Sequence, residues 1–254
     1  MRYAPLIAVV LLLTAGSSFA FELLRTSNNP CSTAQHLFWP SRRAAVDTHF
    51  LPSQFATYAT TARERWNGAI GSFQFVGGIG NLCDPSDGIT SMALSRTVCG
   101  GGGFGDAVSI TVYRFNTNSG EMLDADVSFD SSDSFLTTDA ALFTQIAMHE
   151  LGHVLGLAHS DACGGSGQGT LMQAVTPLNE PRLSSPQADD VAGALAIYPN
   201  NGSDAPATNP GCALSPPNQP WRPPLELLAG AVIALLARAL CARPLTTHEH
   251  ESRS

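Results

Sequence analysis

Three imidazoles, a carboxylate and a helix-ending glycine fall within one stretch, His149-Glu150-Leu151-Gly152-His153-Val154-Leu155-Gly156-Leu157-Ala158-His159-Ser160. His149 and His153 stand four residues apart, so on a helix they project from one face. Two imidazoles so placed can grip a zinc ion, with Glu150 beside them as a base. A third ligand on the same helix would be poorly aimed. Gly156 can take the left-handed conformation that ends a helix, which lets His159 swing back toward the metal. Three protein ligands leave one coordination position for water, the layout of a catalytic rather than a structural zinc. A bare H-E-x-x-H also occurs on ordinary amphipathic helices. Gly156 and His159 at fixed offsets, with three of the chain's seven histidines gathered here, set this one apart.

The elements that must hold these groups follow from apolar spacing and capping residues. Thr138-Asp139 caps a helix, acid near its positive end, that carries Leu142, Ile146, Leu151 and Val154 and runs to Gly156. Upstream, Leu37 to Phe50 reads as a strand entering the core. Pro52-Ser53 opens a helix with Phe55, Ala59, Ala62 and Trp66 at helical spacing, aromatics expected in the core rather than on a binding surface. Ile70 to Val76 alternates as a second strand, followed by a Gly/Asp/Pro-rich loop through Gly88. Val108–Phe115 and Met122–Phe129 read as a hairpin joined by Asn116-Thr117-Asn118-Ser119-Gly120. Asp124, Asp126, Asp130 and Asp133 make this region acidic, and oxygen ligands at that density are candidates for calcium as readily as for a solvated strand and turn. Beyond His159 lies a Gly-rich loop from Cys163 to Gly169, then Thr170-Leu171-Met172. A last helix begins near Ser185-Pro186 and continues through Val191, Leu195 and Tyr198.

Composition excludes several functions. The chain of 254 residues has a formal net charge of −8, and its thirteen basic residues, all arginine, are scattered. No nucleic-acid groove is expected, and the acidic surface speaks only to solubility. Gly100 to Gly103 lacks the spacing and the lysine of a phosphate-binding loop. Arg2, the apolar run Leu6–Leu13 and small residues leading to Ser18-Phe19-Ala20 form a signal peptide cleaved near Ala20, too short a run to span a membrane. Export places the six cysteines in an oxidising compartment, where they favour disulfides. Cys83–Cys99, flanking loop-like stretches, and Cys31–Cys163, by elimination, are the expected pairs, though sequence alone leaves the connectivity open.

The His149–Ser160 stretch resembles the zinc motif of the metzincin peptidases, and Ser160 after the third histidine is similar to the matrixin branch. Met172 sits where that clan's Met-turn falls, a methionine forming a floor beneath the metal. Gly120–Val127 resembles the matrixin edge strand, and Leu183–Pro199, with Asp189-Asp190 and Tyr198-Pro199, is similar to the matrixin C-terminal helix. The resemblance covers about residues 35–199. It implies an α+β catalytic domain: a twisted, mostly parallel sheet with an antiparallel edge strand, an active-site helix, a C-terminal helix, and zinc in the cleft between subdomains. It further implies one catalytic zinc on His149, His153 and His159, Glu150 as general base, and a protein or peptide substrate added as a strand along Met122–Phe129. Gln173-Ala174 departs from the aromatic and proline usual after the Met-turn, so the specificity pocket is not carried over. No histidine lies between His49 and His149, so the family's second, structural zinc is not expected. A cysteine-switch propeptide is likewise not expected.

The expected organisation is therefore a signal peptide 1–20, a catalytic domain 21–199, a Pro-rich linker 200–224, a hydrophobic segment 225–243 and a polar tail 244–254. The linker holds an N-x-S sequon at Asn201. Leu225–Ala242 is just long enough to span a bilayer. Gly211-Cys212, the Pro-rich spacer, the apolar run and the trailing arginines resemble bacterial C-terminal protein-sorting signals, so the tail is read as a membrane or cell-surface anchor or a processed signal, in preference to an amphipathic or packed helix. The whole is expected to be a monomeric, secreted or surface-displayed zinc endopeptidase. Its rival is a catalytically silent binding or adhesion module on the same scaffold, which the intact Glu150 disfavours.

Overall fold

The computed structural model describes residues 21–177, 179–200 and 247–253. The expected signal peptide 1–20, the expected linker with Asn201 and Gly211-Cys212, and the hydrophobic segment 225–243 lie outside the described residues. Among the described residues no helix is long and apolar enough to cross a membrane.

Twelve elements follow in chain order: β1 (Glu22–Leu23), β2 (Arg43–Asp47), α1 (Ser53–Ala69), β3 (Gln74–Gly77), β4 (Ile89–Ser95), β5 (Ser109–Asn116), β6 (Met122–Asp130), α2 (Ser134–Thr138), α3 (Ala140–Leu155), β7 (Leu157–Ala158), α4 (Ala188–Ile197) and β8 (Thr247–Arg253). The main sheet has the order β3-β2-β4-β6-β5-β8. Its β3–β2, β2–β4 and β4–β6 pairs are parallel, and β5 runs antiparallel to β6. The backbone of β8 pairs antiparallel with the outer side of β5, from Asn116↔Thr247 to Ile110↔Arg253. A two-stranded sheet of β1 and β7 stands apart. This is the mixed, mostly parallel architecture expected, with one correction. The Met122–Phe129 strand, taken as the edge, is internal, held between β4 and β5, and the antiparallel strand on its outer side is β5. Both strands of a hairpin alternate alike, so sequence does not say which of them pairs again.

Two other boundaries move. The first strand is only Arg43–Asp47, because Trp39–Arg42 makes a turn with the Arg42 N–H donating to the Trp39 carbonyl at 3.0 Å. The second begins at Gln74 rather than Ile70. Strand β4 was not foreseen.

The core lies between the sheet and the α1–α3 pair. On α1, Phe55, Ala59, Ala62 and Trp66 are the buried stripe, as their spacing requires. Trp66 is fully buried and its indole N–H donates to the Met148 carbonyl at 2.8 Å, so its one polar atom is satisfied. Phe55 and Phe129 both stack near Phe143 of α3, at 4.8 and 4.7 Å between ring centroids. Helix α3 is buried from Phe143 onward, except for Thr144, which is why its apolar residues do not confine themselves to one face. Asp139 caps it by accepting from the Ala141 and Leu142 N–H groups. At the far end Tyr198 donates its hydroxyl to the Leu155 carbonyl and accepts from the Trp39 N–H, each at 3.0 Å. Helix α4 starts at Ala188, two residues beyond Pro186, because Gln187 and Asp190 form a capping box there.

Both expected disulfides are formed, Cys31–Cys163 and Cys83–Cys99. The first closes a separation of 132 residues and ties the N-terminal segment to the loop after His159.

Candidate active site

The three histidines converge. His149 Nε2 lies 3.1 Å from His153 Nε2, which lies 3.2 Å from His159 Nε2. His149 Nδ1 faces the Leu171 carbonyl at 2.8 Å and His153 Nδ1 faces the Leu157 carbonyl at 2.8 Å. A carbonyl can only accept, so each Nδ1 carries the proton and each Nε2 presents a bare lone pair. Lone pairs aimed at one another at such distances repel unless a cation lies among them. The donor set therefore fits zinc: neutral imidazoles, oriented by backbone acceptors behind them. Burial and the neighbouring imidazoles hold His153 well below the ordinary histidine range, and burial with His149 lowers His159 to about 4. His153 and His159 therefore stay neutral at neutral pH. Among the described residues one other three-residue group gathers ligand-type atoms, Cys83, Cys99 and Asp126, and its two sulfurs are tied up in a disulfide.

The turn that delivers His159 works as the sequence implied. Gly156 is at φ +107°, its N–H donating to the His153 carbonyl at 2.9 Å. Its own carbonyl accepts from the Leu24 N–H at 2.8 Å, so the chain passes directly into β7 against β1.

Met172 is buried under the site. A Cβ placed on Gly152 would fall on its sulfur, so the methionine side chain lies against the helix where residue 152 has none of its own. Asp190 of α4 holds that turn from behind, its two oxygens accepting from the Leu171 and Met172 N–H groups at 2.9 and 3.1 Å. The residue that orients His149, Leu171, is thus fixed by a carboxylate nineteen positions along the chain.

Glu150 is fully buried. One carboxylate oxygen accepts from Ser109 Oγ at 2.7 Å and the other from Thr111 Oγ1 at 2.5 Å. Sequence reading passed over both hydroxyls. Their only signal is polarity at alternate positions, 109 and 111, flanking Ile110 at the start of the strand.

Beside His149 opens a cleft of about 280 Å³, lined by Val108, Leu136, Leu142, Ile146 and Val175, with Asp106 and Asp133 among its polar members. Gln173 is not among its lining residues, whereas Ala174 is.

The four aspartates considered for calcium are divided. Asp130 accepts from the Ser132 N–H and hydroxyl, and Asp133 caps α2. Asp124 and Asp126 are buried side by side, Asp126 accepting from the Ser91 N–H and hydroxyl while Asp124 Oδ1 has no partner. Burial, with Asp126 and Asp87 adding, pushes Asp124 up to about 8. The pair therefore holds a proton at neutral pH, and no four-carboxylate cluster exists among the described residues. The folded chain keeps this proton between about pH 4 and 8, where an unfolded aspartate has released it. Stability from this source is complete below that window and falls as pH rises through it, by at most about 1.4 kcal/mol per pH unit. Asp124→Asn, a neutral isostere, should flatten that slope. Thermal melts at pH 5 and pH 8 check it: the variant's melting temperature should gain on the natural chain as pH rises, and parallel curves would refute the shared proton.

Comparison with known proteins bears on the same region. Residues 103–199 match the family model of the matrixin peptidases, a span holding β5, β6, the three histidines, Met172 and α4. No curated protein sequence matches the chain.

Proposed function

We propose that this chain, assigned to the matrixin-like metzincins by residues 103–199, is a zinc-dependent endopeptidase that acts outside the cytoplasm. One observation carries the reading: the Nε2 atoms of His149 and His153 on α3 converge with that of His159 beyond its end, and Glu150, next to His149, is a buried carboxylate held against β5. Zinc held there by His149, His153 and His159 would lower the pKa of a water and polarise a carbonyl. Glu150 is the base: a carboxylate oxygen takes the proton from the water attacking the scissile carbonyl and delivers it to the leaving amine nitrogen. Leu171 and Leu157, through their carbonyls, keep the imidazoles in the tautomer that ligates.

An extended peptide would take the place of 247–253 on the outer side of β5. That side accepts strand pairing in antiparallel register, as its ladder with 247–253 illustrates, and backbone hydrogen bonds there give register rather than selectivity. Selectivity would come from the apolar cleft next to His149, which suits one large apolar side chain. The signal peptide and two disulfides support export.

Chelation tests the reading. The natural chain should cleave a diverse peptide library with a large apolar residue beside the scissile bond. Activity should vanish with a chelator and return on adding zinc. Full zinc occupancy without cleavage of any peptide would favour the silent binding module instead.

A further inference from the structure

We propose that Ser109 and Thr111 are positioning residues that clamp the Glu150 carboxylate, so that strand β5 rather than the helix sets the orientation of the base. The proposal rests on the peptidase reading of the site. All three side chains are fully buried. A carboxylate removed from water is costly unless its oxygens are hydrogen-bonded, and the backbone N–H groups around Glu150 are committed to helix α3. Residues two apart on a strand project to the same side, so positions 109 and 111 present two hydroxyls in a row. Each meets a different oxygen, Ser109 on Oε1 and Thr111 on Oε2. Holding both oxygens fixes the rotation of the carboxylate plane, which one bond would leave free.

Hydroxyls suit this task because each carries one donor and two acceptor lone pairs. They can donate to the charged carboxylate and turn to accept from it once it holds a proton. A lysine would favour only the charged form, and an alanine would support neither. The clamp also lies on the strand to which substrate would add, so the groups that register the peptide and the base are parts of one rigid hairpin, β5–β6.

The test uses the full chain with Ser109→Ala, Thr111→Val and the double variant, alongside the conservative Thr111→Ser. Loss of carboxylate orientation should lower kcat about 10-fold in each single variant and about 100-fold in the double. KM and zinc content should hold steady, and Thr111→Ser should retain most of the rate. A second readout needs no turnover: the isotope-edited infrared carboxylate band of Glu150 in metal-free protein, assigned by its loss in Glu150→Gln. Removing both hydroxyls should shift that band. An unshifted band overturns the clamp, and so does a loss of kcat that merely tracks lost zinc or lost folded protein. If the natural chain cleaves nothing yet the band shifts, the clamp stands and the peptidase reading falls.

Discussion

Replacing Glu150 by glutamine should lower kcat/KM for a peptide substrate by about 10²–10⁴-fold, the usual worth of a positioned general base, while zinc still binds one per chain. The separation follows from how the site is built. The imidazoles are oriented by the carbonyls of Leu171 and Leu157, and nothing in that arrangement passes through residue 150. Glutamine keeps an acceptor for one hydroxyl of β5 and can turn its amide toward the other, but it cannot take a proton. Glu150→Ala is the harsher change. It leaves Ser109 and Thr111 as buried hydroxyls without their acceptor, about 1–3 kcal/mol each, so its loss of activity would mix chemistry with stability. Metal analysis beside steady-state kinetics on both variants gives the answer. A glutamine variant with full zinc and near-natural activity would remove Glu150 from the mechanism and leave the site without an assigned base.

The parts of this protein that were legible in advance are those governed by local spacing. The i, i+4 histidines, the Phe55-Ala59-Ala62-Trp66 stripe and the Asp139 cap are set by helix geometry alone, and each stands where its spacing places it. Gly156 belongs with them, since a positive φ is demanded by the residue that must follow. What escaped reading is set by contacts distant in sequence. Ser109 and Thr111 meet Glu150 across 41 and 39 residues, and nothing local distinguishes an inward hydroxyl from an outward one. Asp190 entered the sequence reading only as part of the C-terminal helix resemblance, yet it is 1% exposed and braces the Leu171-Met172 turn. The same reason explains the misplaced edge. Whether β5 or β6 faces outward depends on which of them meets β4, and Met92↔Val127 is a pairing that periodicity cannot see.

Gly156→Ala should damage both the fold and the metal site, by more than about 2 kcal/mol in stability, because two costs add. The first is conformational: φ +107° is a backbone state that side-chain-bearing residues rarely adopt. The second is steric: the new Cβ would sit 2.7 Å from the Leu37 carbonyl oxygen and 3.1 Å from Ile197 Cδ1. Leu37 is fully buried and its N–H is bonded to the Leu24 carbonyl, so that backbone has little room to yield. Relief must come from β7 moving away, and β7 carries the Leu157 carbonyl that orients His153 as well as the lead-in to His159. Zinc affinity should therefore fall together with the melting temperature. Gly164→Ala supplies the contrast. It too has a positive φ, +86°, but nothing lies within 4 Å of its would-be Cβ, so it should cost only the conformational part, roughly 1 kcal/mol, and leave zinc binding intact. Melting curves with and without chelator, and a competitive zinc titration, separate the two. Equal effects at 156 and 164 would mean that backbone conformation alone matters, and that the close approach to Leu37 does not hold the third ligand in place.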